Sequence, residues 1–396
     1  MPQIGSKTQE ILAIDQRHGS GLWQPDLALV RGDGTRVWDA DGKEYIDCLA
    51  GIAVASLGHA NPRLTGAIAE QAGKLIAFAQ NIGNDTRSAF LEKLFEFVPP
   101  PLSRVFMANS GSEVNEAALK WAKAATGRSR FVAAKRGFSG RTLGVLGLTW
   151  EPKYREPFEP LPVPVDHVTY NDVASLEKAI GEDTAAVFIE PVQGEGGIHP
   201  ATEAFMQAAR DLSRERGALL VFDEIQSGVG RTGKFLACEH YGVGADMVTL
   251  AKGLGGGVPI GALLMTEEVA GKMPAGGHGT TFGGNPLSSA AGLAVLQEIE
   301  SRGLLEHVTQ VGDYFRERLI AIGSPKIREV RGLGLLIGVE LREKAAPFIA
   351  ALREAGVLTI NAGGTVIRFV PPLVIGKEEV DEVVKRVAAV LAKDAP

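Results

Sequence analysis

The chain is poor in cysteine. Only Cys48 and Cys238 occur in 396 residues, which excludes a disulfide framework and suits a reducing compartment. Charge of one sign is missing as a block. The 41 basic and 47 acidic residues give a net charge of −6 with no long run of either, so the electrostatic footprint of a nucleic-acid binder is absent. No apolar stretch approaches the roughly 18 residues of a membrane span. The N-terminal segment carries Lys7, Glu10, Asp15 and Arg17 without an apolar core, so no secretory signal is expected. These absences predict a cytoplasmic protein with no nucleic-acid or membrane partner, and no metal site is expected.

Glycine is abundant instead. The chain holds 49 glycines, about one residue in eight against an ordinary usage near 7%. With 45% hydrophobic and 22% charged residues, disorder is excluded as the main state. No Gly-X-Y period exists, so collagen is excluded too. The glycines must sit at turns or where backbone approaches a ligand. Eleven of them fall in the 32 residues from Gly253 to Gly284, which singles out that stretch as ligand-shaped backbone.

The middle of the chain alternates short apolar runs with helical patterns. The runs Arg104–Ala108, Arg130–Ala134, Ala185–Pro191, Ala218–Asp223, Asp246–Leu250 and Ile260–Met265 predict strands. Helices are expected between several of them, such as Glu113–Ala125 and Thr202–Glu215. Strands buried on both faces and separated by helices indicate an α/β domain with a mostly parallel sheet. Val37–Asp47 reads as a hairpin with Asp41-Gly42 at its turn. Near the C-terminus, a helix over Leu304–Ile322, strands over Leu333–Glu340 and Thr365–Val370, and a last helix from Lys377 to about Ala392 are expected. The expected division is a large α/β domain over residues 50–300. A smaller α+β domain would be assembled from both ends, 1–49 and 301–396.

Three motifs carry chemistry. In Asn109-Ser110-Gly111-Ser112-Glu113, Ser110 and Glu113 match a capping box, by itself only a helix start. The same N-terminus can also seat a phosphate, because its free N–H groups favour an anion and Gly111 lets one come close. The run Ala218–Asp223, followed by Glu224-Ile225-Gln226, places an acid where a parallel strand ends, the edge at which open α/β sheets bind ligands. In Asp246–Leu250 followed by Ala251-Lys252-Gly253, a lone lysine stands at the next strand end before four glycines in five residues. Burial there lowers an amine's pKa and makes it nucleophilic, as a Schiff-base lysine requires. A phosphate seat, a strand-end acid and a strand-end lysine together match the needs of pyridoxal phosphate. By contrast, Gly228-Val-Gly230-Arg-Thr-Gly233 satisfies a dinucleotide pattern. But Asp223 and Glu224 stand between strand and glycines, where they would repel a pyrophosphate.

On these residues the sequence resembles the class III (ω-amino) aminotransferases of pyridoxal phosphate fold type I. The resemblance runs from Val37 to the last helix. Its carriers are Trp38-Asp39, Gly42, Tyr45 and Gly58-His59-x-x-Pro62, then Glu190-Pro-Val-Gln-Gly-Glu195-Gly-Gly, and Gly279-Thr280-Thr281-Phe282-Gly-Gly-Asn285-Pro286. It implies a large domain with a mostly parallel seven-stranded sheet, and pyridoxal 5′-phosphate as cofactor. Lys252 would be the lysine that holds the cofactor and shuttles the proton. Asp223 would pair with the ring nitrogen and Gln226 with the ring hydroxyl. Ser110, Gly111 and Ser112 would bind the phosphate, with Thr281 reaching in from a second subunit. Phe138 and Ile225 would cover the two ring faces. Arg141 and Arg368 resemble binders of substrate carboxylates, Thr280 lies on the substrate side, and Glu195 would mask Arg368. The active site would therefore be shared across a homodimer, with glutamate and 2-oxoglutarate as one substrate pair.

Two positions depart from the family pattern. Ser139 stands where many relatives have histidine. Ile52 stands where enzymes acting on free ornithine have a tyrosine that donates to the substrate carboxylate. Within the family, Arg136–Thr142 and Thr149–Phe158 are most similar to enzymes whose substrate has a blocked α-amino group. The block would be a terminal glutamate of an amino-group carrier protein, LysW, or an acetyl group, as in N-acetylornithine. The expected reaction is amination of LysW-bound aminoadipate semialdehyde by glutamate, in lysine and arginine biosynthesis. Basic residues that could meet an acidic carrier are Lys135, Arg136, Lys153 and Arg155. An aminomutase of the same fold and a non-catalytic nucleotide-binding module resting on Gly228–Gly233 stay open at this point.

Overall fold

A computed structural model describes residues 5–392 of the chain. At its centre lies a seven-stranded sheet. Its strands are β1 (Leu102–Ala108), β2 (Arg130–Ala134), β3 (Val165–Val168), β4 (Thr184–Ile189), β5 (Leu219–Asp223), β6 (Met247–Leu250) and β7 (Gly261–Thr266). Their spatial order is β1-β7-β6-β5-β4-β2-β3. β7 runs antiparallel to β6 and β1, and the remaining pairs are parallel.

The apolar runs behave as strands because both faces are covered. Along β2, Phe131 and Ala133 enter one core while Val132 and Ala134 enter the other. Val221 and Leu263 follow the first set, and Leu220, Phe222 and Leu264 the second. This period of two, with apolar residues on both sides, is what a sheet sandwiched by helices requires. The helix Gly111–Thr126 lines one face through Val114, Ala117, Ala118 and Trp121. The helix Glu203–Glu215 lines the other through Phe205, Met206 and Ala209. Its N-cap is Thr202, whose hydroxyl accepts the Phe205 amide at 3.3 Å.

Two four-stranded sheets lie beside it, one joining both ends of the sequence and the other built from the C-terminal part alone. The expected hairpin is present as Arg36–Asp39 and Glu44–Asp47, with Gly42 at φ 90° in its turn. Its second strand pairs in parallel with Val357–Leu358, more than 300 residues later. Ile327–Leu333, Leu336–Leu341, Val366–Phe369 and Ile360–Ala362 form the other sheet. The helices Leu304–Ile320 and Lys377–Ala392 close this part of the molecule.

Some expectations are corrected. Leu333–Glu340 is not one strand. The chain reverses at Gly334, φ 52°, so two strands meet there. β3 completes the main sheet at its edge, where its four residues are too short and polar to read as a strand. The Gly228–Gly233 loop opens no helix. It docks on the Gly334 reversal instead, where the Leu335 amide donates to Arg231 O at 3.0 Å and Arg231 is buried. A helix start is what a dinucleotide site would need, so these glycines serve packing. Among the described residues, no helix is long and apolar enough to cross a membrane.

Phe90 shows how tightly the helical layer is built. It is fully buried on the helix Asp85–Phe97, against Gly292 of the helix Pro286–Ser301, where an added Cβ would lie 2.6 Å from the ring. Phe90→Ala is expected to lower stability by about 3–5 kcal/mol, read as a shift of the urea denaturation midpoint.

Candidate active site

The carboxyl ends of β4, β5 and β6 open into a cavity of about 320 Å³. Its walls include Ser110, Gly111, Ser112, Phe138, Asp223, Ile225, Gln226 and Lys252. The parallel pairing of β5 with β6 sets the central geometry. Asp223 lies opposite Thr249, three residues before Lys252, so acid and amine leave adjacent strand ends on the same edge.

Asp223 is almost completely buried. Asn115 Nδ2 donates to its Oδ2 at 2.8 Å and the Ile225 amide to its Oδ1 at 3.2 Å. Burial pushes this carboxyl above the usual range, while the donors, the Ser139 hydroxyl and the Lys252 charge oppose that rise. Burial likewise pushes the Lys252 amine below its ordinary value, with Arg368 adding to the effect and Glu195, Asp223 and Glu190 opposing it. An amine of lowered basicity beside a buried carboxyl is the arrangement a nucleophilic lysine needs. Lys252 has φ 42°, a left-handed conformation that is strained for a non-glycine residue and is common at functional sites.

The helix Gly111–Thr126 aims its N-terminus at the cavity. The Ser110 hydroxyl accepts the Glu113 amide at 3.3 Å, as the capping box predicts. The returning bond differs: Glu113 Oε2 accepts from Asn109 N at 2.7 Å, one residue before the cap. An added Cβ at Gly111 would lie 2.9 Å from Ile225 Cδ1, so glycine alone permits this close approach.

Other residues singled out by sequence take separate places. Arg368 is fully buried, with Nη1 2.7 Å from Glu195 Oε1 and 2.9 Å from Gln226 Oε1. It therefore reaches the cavity through two lining residues. Arg141 stacks 3.6 Å over the Tyr154 ring, outside the lining. Thr280 accepts from Asn109 Nδ2 at 3.1 Å, and exposed Thr281 is not part of the cavity wall.

Asn115 and Glu190 were not singled out by the motifs. Asn115 is fully buried on a helix face that otherwise reads as alanine and valine, and a polar residue there was the available signal. Glu190 follows an apolar run as Asp223 ends one, and it also lines the cavity.

These residues fit pyridoxal phosphate. Asp223 makes no ion pair among the described residues, so a protonated ring nitrogen would supply the missing counter-charge. Ser110, Gly111 and Ser112 offer a helix N-terminus to a phosphate, and Lys252 offers an amine to an aldehyde.

Comparison with known proteins agrees with this chemistry. The model of the family "Aminotransferase class-III" matches residues 20–391. A [LysW]-aminoadipate semialdehyde transaminase of Deinococcus radiodurans is 55% identical over 384 residues, spanning 96% of this chain and 90% of that one. An acetylornithine aminotransferase of Methanothermobacter thermautotrophicus is 44% identical over 381 residues, spanning 95% and 97%. Among solved structures, the ornithine aminotransferase of Toxoplasma gondii superposes with a TM-score of 0.92 at 33% identity, covering 98% of this chain and 95% of that one. That structure is described with partial occupancy of PLP at its active site.

Lys252→Ala is expected to abolish the visible absorbance of protein reconstituted with pyridoxal phosphate, together with turnover. Gly111→Val, which drives a side chain into Ile225, should weaken cofactor binding about tenfold or more while moving the melting temperature little. Apoprotein titration measures the first and thermal denaturation the second.

Proposed function

Because the chain belongs to the class III aminotransferases and is a pyridoxal-phosphate-dependent transaminase, we propose that it transfers the amino group of glutamate to a semialdehyde whose α-amino group is blocked by an acidic carrier protein. The product would be a carrier-bound lysine, with 2-oxoglutarate released. The 55% identity to a transaminase named for the LysW-bound semialdehyde supports this substrate. The observation in the structure that carries it is a second chamber of about 650 Å³. It shares Phe138 and Glu195 with the reaction cavity and is lined by Arg136, Lys153, His199 and Arg331. An acetyl group needs no such space, whereas a polypeptide end does. Of the four basic residues expected to meet a carrier, Arg136 and Lys153 line this chamber. Lys135 and Arg155 lie instead over the Trp150 ring, at 5.7 and 5.8 Å.

In the site, Lys252 would hold the cofactor, Asp223 the ring nitrogen, Gln226 the ring hydroxyl, and Ser110, Gly111 and Ser112 the phosphate. Phe138 and Ile225 would cover the ring faces. Bound there, pyridoxal phosphate supplies an electrophilic aldehyde and an electron-withdrawing ring. Once displaced by the substrate amine, the Lys252 Nζ is free to take a proton from the substrate carbon and return it elsewhere. Its lowered basicity favours the form that the first of these transfers needs.

Two substrates of different charge must use one pocket. The Arg368 guanidinium suits the bidentate recognition of a glutamate carboxylate. Its pairing with Glu195 leaves no buried unpaired cation when the semialdehyde occupies the site. Glu195 is partly exposed while Arg368 is fully buried, so the acid is the partner that swings aside.

We also propose a homodimer. Thr281 is exposed and stands next to Phe282, whose side is 61% exposed. A second subunit would cover that apolar surface and bring Thr281 to the phosphate of its neighbour.

Comparing kcat/KM for carrier-bound lysine and N-acetylornithine decides the substrate. Carrier-bound lysine is expected to be preferred, and a strong preference for N-acetylornithine would remove the carrier assignment. The double variant Arg136→Glu, Lys153→Glu should lower kcat/KM for the acidic carrier about tenfold or more, chiefly at low salt.

A further inference from the structure

The cavity contains a carboxylate for which the reaction above has no step. Glu190 directly follows β4 and is buried. Its Oε1 accepts the Phe138 amide at 2.9 Å, and its Oε2 accepts the Gly194 amide at 3.1 Å. The two amides belong to different loops, one leaving β2 and the other following the short strand Val192–Gln193. A further bond ties the same loops, from Gln193 Nε2 to Lys135 O at 2.8 Å. The Glu190 backbone is itself held, since the Tyr170 hydroxyl donates to its carbonyl at 2.7 Å.

The contacts continue beyond Gly194. An added Cβ there would lie 2.5 Å from the Gln226 side chain, so the glycine lets this turn close on Gln226. Gln226 Oε1 then accepts from Arg368, which is paired with Glu195. Glu190 thus stands between the ring of Phe138 and the group that meets a substrate carboxylate.

We propose that Glu190 is a positioning residue whose two oxygens fix the spacing between Phe138 and the Gly194–Gln226–Arg368 cluster. The proposal rests on the roles given above to Phe138 and Arg368. Burial and the neighbouring Asp223 charge push the Glu190 carboxyl up, to about 8, while the Gly194 and Phe138 amides pull it down. In this geometry both carboxyl oxygens accept from backbone amides, one on each loop. Glutamine has nearly the same shape, but its NH₂ would face one of the two amides and only one bond could form.

Glu190→Gln is therefore the informative variant. Losing one of the two bonds should raise both the cofactor Kd of the apoprotein and the KM for glutamate about tenfold, with an altered visible circular dichroism band of the bound cofactor. Gly194→Ala leaves the carboxylate intact but displaces Gln226, and should raise the KM for glutamate more than the cofactor Kd. A Glu190→Gln protein whose Kd and KM both stay within twofold of the parent overturns the proposal, whatever its melting temperature, because a purely structural group would move only the latter. Cofactor titration assumes nothing about the amine donor or the blocked acceptor, so a wrong substrate assignment leaves that arm readable.

Discussion

Everything in this site depends on burying charge at one edge of a parallel sheet. Asp223 ends β5 with no ion pair among the described residues, and Lys252 follows β6 as an amine held below its usual basicity. Neither state is comfortable without a ligand, since unpaired charge in a low-dielectric interior is costly. Parallel pairing makes the arrangement possible, because it sends neighbouring strand ends to the same edge. The helix Gly111–Thr126 adds its positive N-terminus to the same cavity. The cofactor thus completes a set of electrostatic demands that the folded chain creates.

A transaminase must also accept two substrates in turn, and the polar contacts around Arg368 would suit that demand. Arg368 is fully buried yet never isolated, because Glu195 and Gln226 share its Nη1. Gln226 lies three residues after Asp223, and Glu195 adjoins the turn at Gly194. Arg368, Glu195 and Gln226 thus form one hydrogen-bonded group at the cavity wall. That economy explains why so many of the lining residues are polar yet have little freedom.

How much of this could be read beforehand follows from the kind of signal each residue leaves. Asp223 and Lys252 were legible because each breaks an apolar run at a strand end, where a charge needs a reason. Gly111 was legible through its capping context. Glu190 leaves the same mark after β4, but it sits within a signature that drew attention to Glu195 instead. Asn115 was hidden because one polar residue on a helix is ordinary, and only the fold shows that its face is inward. β3 escaped because four residues reading Val-Asp-His-Val at a sheet edge carry almost no pattern. The strand predicted over Leu333–Glu340 failed for the opposite reason. Its apolar residues are real, but Gly332 and Gly334 mark a reversal that a hydrophobic count ignores. Arg368 was identified through family resemblance alone, since nothing in Val-Ile-Arg-Phe announces a pairing across more than 170 residues.

The pairing of Glu44–Asp47 with Val357–Leu358 has a temporal meaning as well as a spatial one. A strand laid down near the start of synthesis waits for a neighbour made more than 300 residues later. Arg368 lies beyond that neighbour, on Val366–Phe369. On the ribosome, every strand of the main sheet, which ends at Thr266, is therefore made while Arg368 is still unmade. Contacts so distant in sequence are slow to form. The part of the chain that carries Asp223 and Lys252 is therefore complete in sequence before the strand that carries Arg368 exists.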